Sequence, residues 1–236
     1  KGGARLAINE YQGIYLNAGH FSKEPYYKFV FSNYTNTPAN DLKNEKVSSL
    51  ELGYRYASSR LSASMNAYYT YWADKSLLSN EYIQFSDSSM SRAMINGLDA
   101  LHMGLEATLS YTFSSAISAG ALLSLGDWKW ENDVNAYLYD DNNIFLDSTM
   151  VYADGLYVGD APQTQLGLFI DIRPFRNCDV KINALYFDRL YANFDPANRN
   201  DPMDKEQPWR LPSYTLVDVH LGYTCRIAGL DTEFRA

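Results

Sequence analysis

The sequence predicts an all-β protein, an antiparallel transmembrane β-barrel, and strand length is the first observation behind this prediction. Residues 101–113 alternate strictly between apolar side chains and small or polar ones, and residues 117–125 do the same after a turn at Ser114 and Ser115, with Leu122 as the one exception. This pattern indicates a β-hairpin. Soluble strands cluster near about 5 to 6 residues, whereas crossing a bilayer takes about 9 to 11. An apolar face opposite a small, polar face suits a strand between lipid and a wet lumen.

The alternation of short and long connections is the second observation. Turns of roughly 2 to 6 residues alternate along the chain with segments of roughly 20 to 35 residues, whereas connections in ordinary sheets take about 2 to 5. Outer-membrane barrels have short periplasmic turns and long extracellular loops. A soluble sandwich has no reason to place every long loop at one end. The predicted loops are residues 23–45, 74–99, 127–162 and 194–212.

Nine strands and the start of a tenth at Thr232 are predicted, and each has its own alternating set. Leu, Ile and Ala take every second position in the first two strands, and Leu, Met, Ala and Tyr do so in the next two. After the central hairpin, Leu and Ile, then Val, Ile, Ala and Tyr, then Val, Leu and Tyr repeat the pattern. The predicted strands are residues 4–9, 14–19, 49–56, 61–72, 101–113, 117–126, 165–173, 180–189 and 215–223.

The composition narrows the class of protein further. No run of residues approaches the length of a transmembrane helix, which excludes a helical membrane protein. The mean hydropathy of −0.34 does not exclude a barrel, because alternation hides the apolar face in the mean. The 20 Tyr and 4 Trp suit interfacial girdles, although lectin sandwiches are Tyr-rich too. The net charge of −8 argues against nucleic-acid binding, which requires a basic face.

Six segments carry a family resemblance that covers essentially the whole chain. They resemble the C-terminal part of the barrel of a TonB-dependent outer-membrane receptor. The most specific is the loop with Asn-Glu-Lys that leads into Ser-x-Glu-x-Gly-Tyr. The segments are NEKVSSLELGYRY (44–56), NAYYTYWADKSL (66–77), GLDALHMGLEATLSY (97–111), VGDAPQTQLGL (158–168), YANFDPANR (191–199) and LPSYTLVDVHLGY (211–223).

The resemblance implies a barrel of about 22 strands, of which residues 1–236 would form less than half, as part of a single domain. It also implies a plug domain of the same protein and a TonB box, neither of which lies in this sequence. Because KGGARLAINE at the start already looks like the middle of a strand, we expect a piece of a longer protein.

The function that the resemblance implies is active uptake of a scarce nutrient, such as a ferric siderophore, cobalamin, a glycan or a peptide. Energy would come from the TonB–ExbB–ExbD complex through the missing N-terminal segment. The lipid bilayer of the outer membrane and the plug are the expected partners, a surface lipoprotein is a further candidate, and no cofactor is expected.

Charged residues on the polar face of the predicted strands are candidates for contacts with a plug. They could make hydrogen bonds or ion pairs to it, and the alternative is that they only hydrate the lumen. These residues are Glu51, Arg55, Glu106, Lys181, Arg189 and Asp218.

Aromatic residues of the long segments are the ligand candidates. Aromatic rings stack on sugars or on catecholate rings at little entropic cost. For Trp128 and Trp130 the alternative is anchoring at the membrane interface or packing within a loop. The candidates are Tyr26, Tyr27, Trp128, Trp130, Tyr137, Tyr139 and Trp209.

Histidine and cysteine give weaker signals. His102 and His220 are predicted on the lumen face, and with His20 they are too scattered to predict a metal site. The pair Asp140-Asp141 could bind calcium, but it lacks the residue spacing of an EF-hand loop. Antiparallel pairing would bring Cys178 and Cys225 together at the periplasmic side, which is oxidising, so we predict a disulfide, with two free thiols as the alternative.

Two other classes of function are weighed against uptake. An outer-membrane enzyme is disfavoured because no Ser-His-Asp or Asp-His grouping is visible, so we do not expect an enzyme. A soluble lectin-like or adhesin sandwich would use the same aromatic loops for binding. Two stacked sheets that bury Leu105, Leu123 and Val219 against each other would contradict the membrane assignment.

Overall fold

The computed structural model describes residues 1–31, 38, 42–84, 90–139 and 144–236. In these ranges the chain forms twelve strands, the short helix α1 (Tyr27–Val30) and a 3₁₀ turn (Pro196–Asn198). None of the helices described there combines the length and the apolar character needed to span a membrane. The strands are β1 (Gly2–Ala7), β2 (Gln12–Lys23), β3 (Glu45–Ala57), β4 (Leu61–Gln84), β5 (Met90–Ser114), β6 (Ile117–Trp130), β7 (Val134–Tyr139), β8 (Phe145–Val151), β9 (Pro162–Phe175), β10 (Cys178–Leu190), β11 (Tyr214–Ile227) and β12 (Leu230–Arg235).

Ten of these strands form one continuous antiparallel sheet. Its order is β1-β2-β3-β4-β5-β6-β9-β10-β11-β12, with β1 and β12 at its two open edges. These ten strands are the nine predicted from alternation plus the one predicted to start at Thr232, so the all-β antiparallel class is confirmed. We call the end where β2–β3, β4–β5, β6–β9 and β10–β11 connect the loop end, and the opposite end the turn end.

The register places the apolar side chains of neighbouring strands opposite each other. Leu52 pairs with Leu16 on one side and with Ala67 on the other, Ala67 pairs with Leu105, and Leu105 pairs with Leu125. The apolar positions therefore form one face, which we call the outer face, and the small and polar positions form the inner face. Register is fixed in this way because a slip of one residue would exchange the two faces.

The outer face is not covered by protein. Leu52, Leu168 and Val219 are 53%, 62% and 54% exposed. In water, apolar surface that stays uncovered lacks the stabilisation of about 25 cal/mol per Å² that burial would give. A face of this extent therefore suits contact with lipid. The stacked sheets of the lectin-like alternative are absent from the described part of the chain, and Val219 is not buried against Leu105 or Leu123.

The buried core lies at the loop end, which corrects two of the predicted loops. Residues 74–99 are mostly a continuation of β4 and β5, and residues 127–162 contain the hairpin β7–β8, which pairs with β5 at Met94 and Ile95. The side chains buried together there, which we call the loop-end core, are Ile95, Leu98, Ala100, Trp130, Val134, Ala136, Leu138, Val151, Ala153, Leu156 and Phe194.

A β-bulge marks the point where β4 and β5 pass from the sheet into the loop-end core. The register shifts between Trp72 and Lys75, and Asp74 and Gly97 have φ of 60° and 83°. The Asp99 carboxylate accepts hydrogen bonds from the Tyr71 hydroxyl (2.8 Å) and from the Asp74 backbone N–H (3.0 Å). Side chains thus satisfy backbone groups that the bulge removes from the ladder.

The predicted disulfide is not formed in the structure, and both cysteines are free. Cys178 pairs in register with Tyr223, whereas Cys225 lies two residues further along β11 and pairs with Thr232. Such diagonal neighbours are about 7 to 8 Å apart. Disulfides usually join Cα atoms about 4.4 to 6.8 Å apart, so an error of two residues in register explains the wrong prediction.

Arginine at neighbouring positions of β6 tests the assignment of the two faces. Leu123→Arg places a charge on the outer face and should lower the free energy of unfolding in a phospholipid bilayer by roughly 2 to 4 kcal/mol. Ser124→Arg places the same charge on the inner face and should change it by less than about 0.5 kcal/mol. Denaturant titration of the full chain in vesicles measures both, and equal losses would contradict the assignment.

Candidate functional site

Aromatic side chains collect on the inner face at the loop end. In adjacent rows of the register, Thr70 pairs with His102 and His102 with Trp128, while Trp72 pairs with Ala100 and Ala100 with Trp130. These rows bring together residues from β4, β5 and β6 that are far apart in the sequence. With two side chains of β2 and β3 and one that follows β2, they form what we call the mouth cluster. Its members are Lys23, Tyr26, Glu45, Tyr68, Trp72, Lys75, His102 and Trp128.

The rings of the mouth cluster contact one another in series. The ring centroids of Trp72 and His102 are 6.0 Å apart, and those of His102 and Trp128 are 5.5 Å apart. The Trp128 indole N–H donates to the Tyr68 hydroxyl at 2.9 Å. These contacts span three strands, so the wall of rings is held by the sheet rather than by a loop.

Glycines beneath the rings make this arrangement possible. A Cβ on Gly104 would overlap the Tyr68 ring, and one on Gly126 would overlap the Trp128 indole. Because glycine has no side chain, the two rings can lie close to the backbone of the inner face.

Two lysines lie over the rings of the cluster. The Lys75 ammonium is 4.1 Å from the centroid of Trp72, and the Lys23 ammonium is 3.7 Å from that of Tyr26. Lys23 also forms an ion pair with Glu45 at 3.5 Å, and Glu45 is only 4% exposed. Within the described residues, Lys75 forms no ion pair. The cluster thus carries two cations and one carboxylate.

The bulge at Asp74 decides the direction of Lys75. Strict alternation from Leu61 would put residue 75 on the outer face with Tyr69 and Tyr71. The extra residue in β4 reverses this, so Lys75 pairs with Leu98 and packs over the inner-facing Trp72. Sequence analysis therefore missed Lys75, and it did not assign Trp72 to a ligand site.

The seven predicted aromatic ligand candidates are not brought together. Trp128 and Tyr26 belong to the mouth cluster. Tyr137 and Tyr139 lie on β7 and contact Phe145, with centroids 6.4 and 6.1 Å away. Tyr27 and Trp209 are 76% and 69% exposed and lie outside the mouth cluster.

Trp130 belongs to the loop-end core, in agreement with the alternative that it packs within a loop. It is 4% exposed and makes an edge-on contact with Phe194 at 5.9 Å. Its burial leaves little of the ring open to a ligand, so we no longer place it among the ligand candidates.

Five of the six charged residues predicted to face a plug lie on inner-face positions of the sheet. Asn17 donates to Glu51 at 3.3 Å, and Lys181 pairs in register with Asp171 and with His220. Arg55, Glu106 and Asp218 occupy the same face. Arg189 differs, because its guanidinium donates to the Thr164 hydroxyl (2.7 Å) and to the Gln163 carbonyl (2.9 Å). It therefore ties β10 to β9.

The histidines and acidic residues do not gather around a common point. His102 and His220 lie on the inner face as predicted, whereas His20 lies on the outer face and hydrogen-bonds with Ser48 at 3.0 Å. Among the residues that the structure describes, no group of three His, Cys, Asp or Glu side chains is placed to hold a metal ion. Asp140 and Asp141 lie outside the described residues.

The segment after β10 is fixed to the sheet by an ion pair and a ring stack. Arg210 donates to Asp188 at 2.6 Å, a hydrogen bond that raises the pKa of Arg210. Tyr191 stacks on Tyr157 at 4.5 Å, and burial raises the pKa of Tyr191. The ion pair holds this segment to β10, and the ring stack holds it beside the segment that follows β8.

Two tryptophans test the division between core and exposed loop. Trp130→Ala should lower the free energy of unfolding by roughly 3 to 5 kcal/mol, because it empties the centre of the loop-end core. Trp209→Ala should change it by less than about 0.5 kcal/mol. Denaturant titration measures both, with limited proteolysis to detect local opening of residues 127–162. A stable Trp130→Ala variant would contradict the packing described.

Comparisons with known proteins agree with the fold. The family model described as TonB dependent receptor-like, beta-barrel matches residues 1–233. A search of curated proteins found no match. The chain is similar to three solved structures: the copper transporter OprC (16% identity, TM-score 0.64), the ferric yersiniabactin uptake receptor FyuA from Yersinia pestis (19%, 0.59) and the FrpB iron transporter from Neisseria meningitidis (16%, 0.62).

These structural matches cover 95%, 94% and 96% of this chain but only 30%, 29% and 32% of the solved chains, in the same order. The chain therefore spans less than a third of their length, and at these identities the likeness concerns the fold alone. The family match covers nearly the whole sequence. The chain belongs to the family of TonB-dependent receptor β-barrels of the outer membrane.

Proposed function

We propose that this chain is part of the barrel of a receptor that takes up a scarce nutrient across the outer membrane with energy from TonB. The single observation that carries the proposal is the family match over residues 1–233. The solved relatives are named as transporters or uptake receptors for copper, a ferric siderophore and iron. The nutrient of this chain is a ferric siderophore, cobalamin, a glycan or a peptide.

The division of the sheet into two faces supports the proposal. The outer face meets lipid, and the inner face offers Glu51, Arg55, Glu106, Lys181 and Asp218 to a plug domain of the same protein. An outer membrane has no nucleotide supply, so uptake against a gradient must draw energy from a partner across the periplasm. In this proposal the plug connects the inner face to the TonB–ExbB–ExbD complex, and a surface lipoprotein is a further partner.

The mouth cluster supports a role in capture of the solute. It lies on the inner face at the loop end, which is the extracellular end in this class of barrel. Trp72, His102 and Trp128 offer ring faces that stack on flat solutes with little loss of conformational entropy. We propose that solute binds there before transport, with Tyr26 and Trp128 as the two ligand residues already suggested by the sequence.

Accumulation of labelled nutrients in cells tests the proposed function. Ferric siderophores, cobalamin, glycans and peptides are supplied to cells with the full receptor, cells without it and cells without TonB. We expect one of these classes to accumulate only when receptor and TonB are both present. Uptake that needs the receptor but not TonB would contradict the proposal, as would no difference among the strains.

A pair of tryptophan variants tests the place of capture in the same assay. Trp128→Ala should lower uptake at limiting nutrient by roughly 2- to 10-fold, the usual range for loss of one aromatic contact. Trp209→Ala, outside the mouth cluster, should leave uptake unchanged. The reverse result would move the capture site to the segment after β10.

A further inference from the structure

We infer that the mouth cluster selects an anionic solute, with Lys75 as the residue that binds its negative group and the rings beside it as the surface for an attached apolar ring. The inference rests on the proposed function and deepens it, because it names the charge and shape of the solute that the inner face accepts.

Charge is the first step of the argument. Lys23 and Lys75 lie on either side of Glu45 in the register of the inner face, since Lys23 pairs with Glu45 and the bulge turns Lys75 inward beside it. Glu45 forms its ion pair with Lys23 at 3.5 Å. Lys75 forms no ion pair among the described residues, and Glu45, whose charge also acts on Lys75, is already paired with Lys23. The cluster therefore carries a net positive charge, and partly buried cations favour a counter-charge.

The surroundings of Lys75 are the second step. Its ammonium lies 4.1 Å from the Trp72 centroid and 6.0 Å from the Trp130 centroid. Cation–π contacts of this kind hold an ammonium over a ring face without neutralising its charge. Lys75 is only partly exposed, so an anion that reaches it is attracted more strongly than it would be in bulk water.

The neighbouring polar atoms are the third step. The Nδ1 atom of His102 is buried and has no hydrogen-bond partner within the described part of the chain. Buried polar atoms are normally paired. This unused hydrogen-bonding capacity beside the Lys75 ammonium favours a polar solute group, while the rings of Trp72 and Trp128 favour an apolar one.

The combination excludes two other classes of solute at this site. A cation would meet a cluster of net positive charge, and a large neutral sugar would leave that charge without a counter-charge. A negative group attached to a flat ring uses both features, because the charge reaches Lys75 and the ring lies on the aromatic wall.

Benzoate and its neutral analogue benzamide test the inference. Quenching of tryptophan fluorescence measures the affinity of each for the full chain in detergent. Benzoate should bind saturably and at least about tenfold more tightly than benzamide, since a charge-assisted contact is worth at least one factor of ten. Equal affinities, or no saturable binding of benzoate, would overturn the inference.

Variants of Lys75 test whether this lysine is the residue that binds the anion. Lys75→Gln should weaken benzoate binding by about tenfold or more, and Lys75→Arg should restore it to within about threefold of the parent. Lys205→Gln, at an exposed position in the segment after β10 and outside the mouth cluster, is the matched control and should bind as the parent does. Unchanged binding by Lys75→Gln, in a protein that keeps its folded migration on unheated gels, would assign the anion elsewhere.

Equilibrium binding separates this inference from the proposed function, because it requires neither TonB nor a membrane potential. Loss of TonB-dependent uptake with intact, Lys75-dependent benzoate binding would contradict transport and leave the anion site standing. TonB-dependent uptake without Lys75-dependent binding would support transport and contradict the anion site.

Discussion

Backbone hydrogen bonding in lipid is the constraint on which the rest of this structure depends. A strand that crosses hydrocarbon must pair all of its N–H and C=O groups with neighbouring strands, because lipid offers no partner. Here ten strands pair antiparallel in one unbroken order, and all of them except the edge strands β1 and β12 have a neighbour on both sides. Once the ladder is continuous, alternation sends every second side chain to the same face. Leu16, Leu52, Ala67, Leu105 and Leu125 then fall into one apolar row without any buried core to align them.

Where the sheet leaves the membrane, burial of apolar side chains replaces contact with lipid as the source of stability. Beyond the bulge at Asp74, water is present on both sides and an apolar outer face would be costly. There the end of β6, strands β7 and β8, Ala153, Leu156 and Phe194 pack against the extensions of β4 and β5 and form the loop-end core. The same protein therefore uses two stabilising principles along one strand. Lipid surrounds the first part of β4, and packed side chains surround the second.

Sequence alone predicted the membrane part well, because strict alternation leaves few alternatives. It failed where alternation is interrupted. The bulge at Asp74 and the positive φ of Gly97 hid the continuation of β4 and β5, and β7 and β8 are too short, at 6 and 7 residues, to stand out from a polar segment. Trp130 looked like a loop residue because its partners, such as Phe194, are distant in sequence. The predicted disulfide was wrong because the two cysteines are offset by two residues in the register. Hydrophobic alternation cannot reveal such an offset, since a shift of two residues keeps every side chain on the same face.

The same bulge explains why the charge of the mouth cluster could not be read from the sequence. It shifts the alternation by one residue, so that Asp74 lies on the outer side and Lys75 on the inner side. Asp74 forms ion pairs with Lys46 at 2.9 Å and with Lys43 at 3.5 Å. Lys46 lies at an outer-face position of β3. Lys75 faces the inner rings. Without the extra residue, Lys75 would share the outer face with Tyr69 and Tyr71, where a lysine costs from about zero near the interface to roughly 2 to 4 kcal/mol at the midplane. One inserted residue thus moves a cation from the lipid side to the solute side, and it does so at the level where the strands emerge from the membrane.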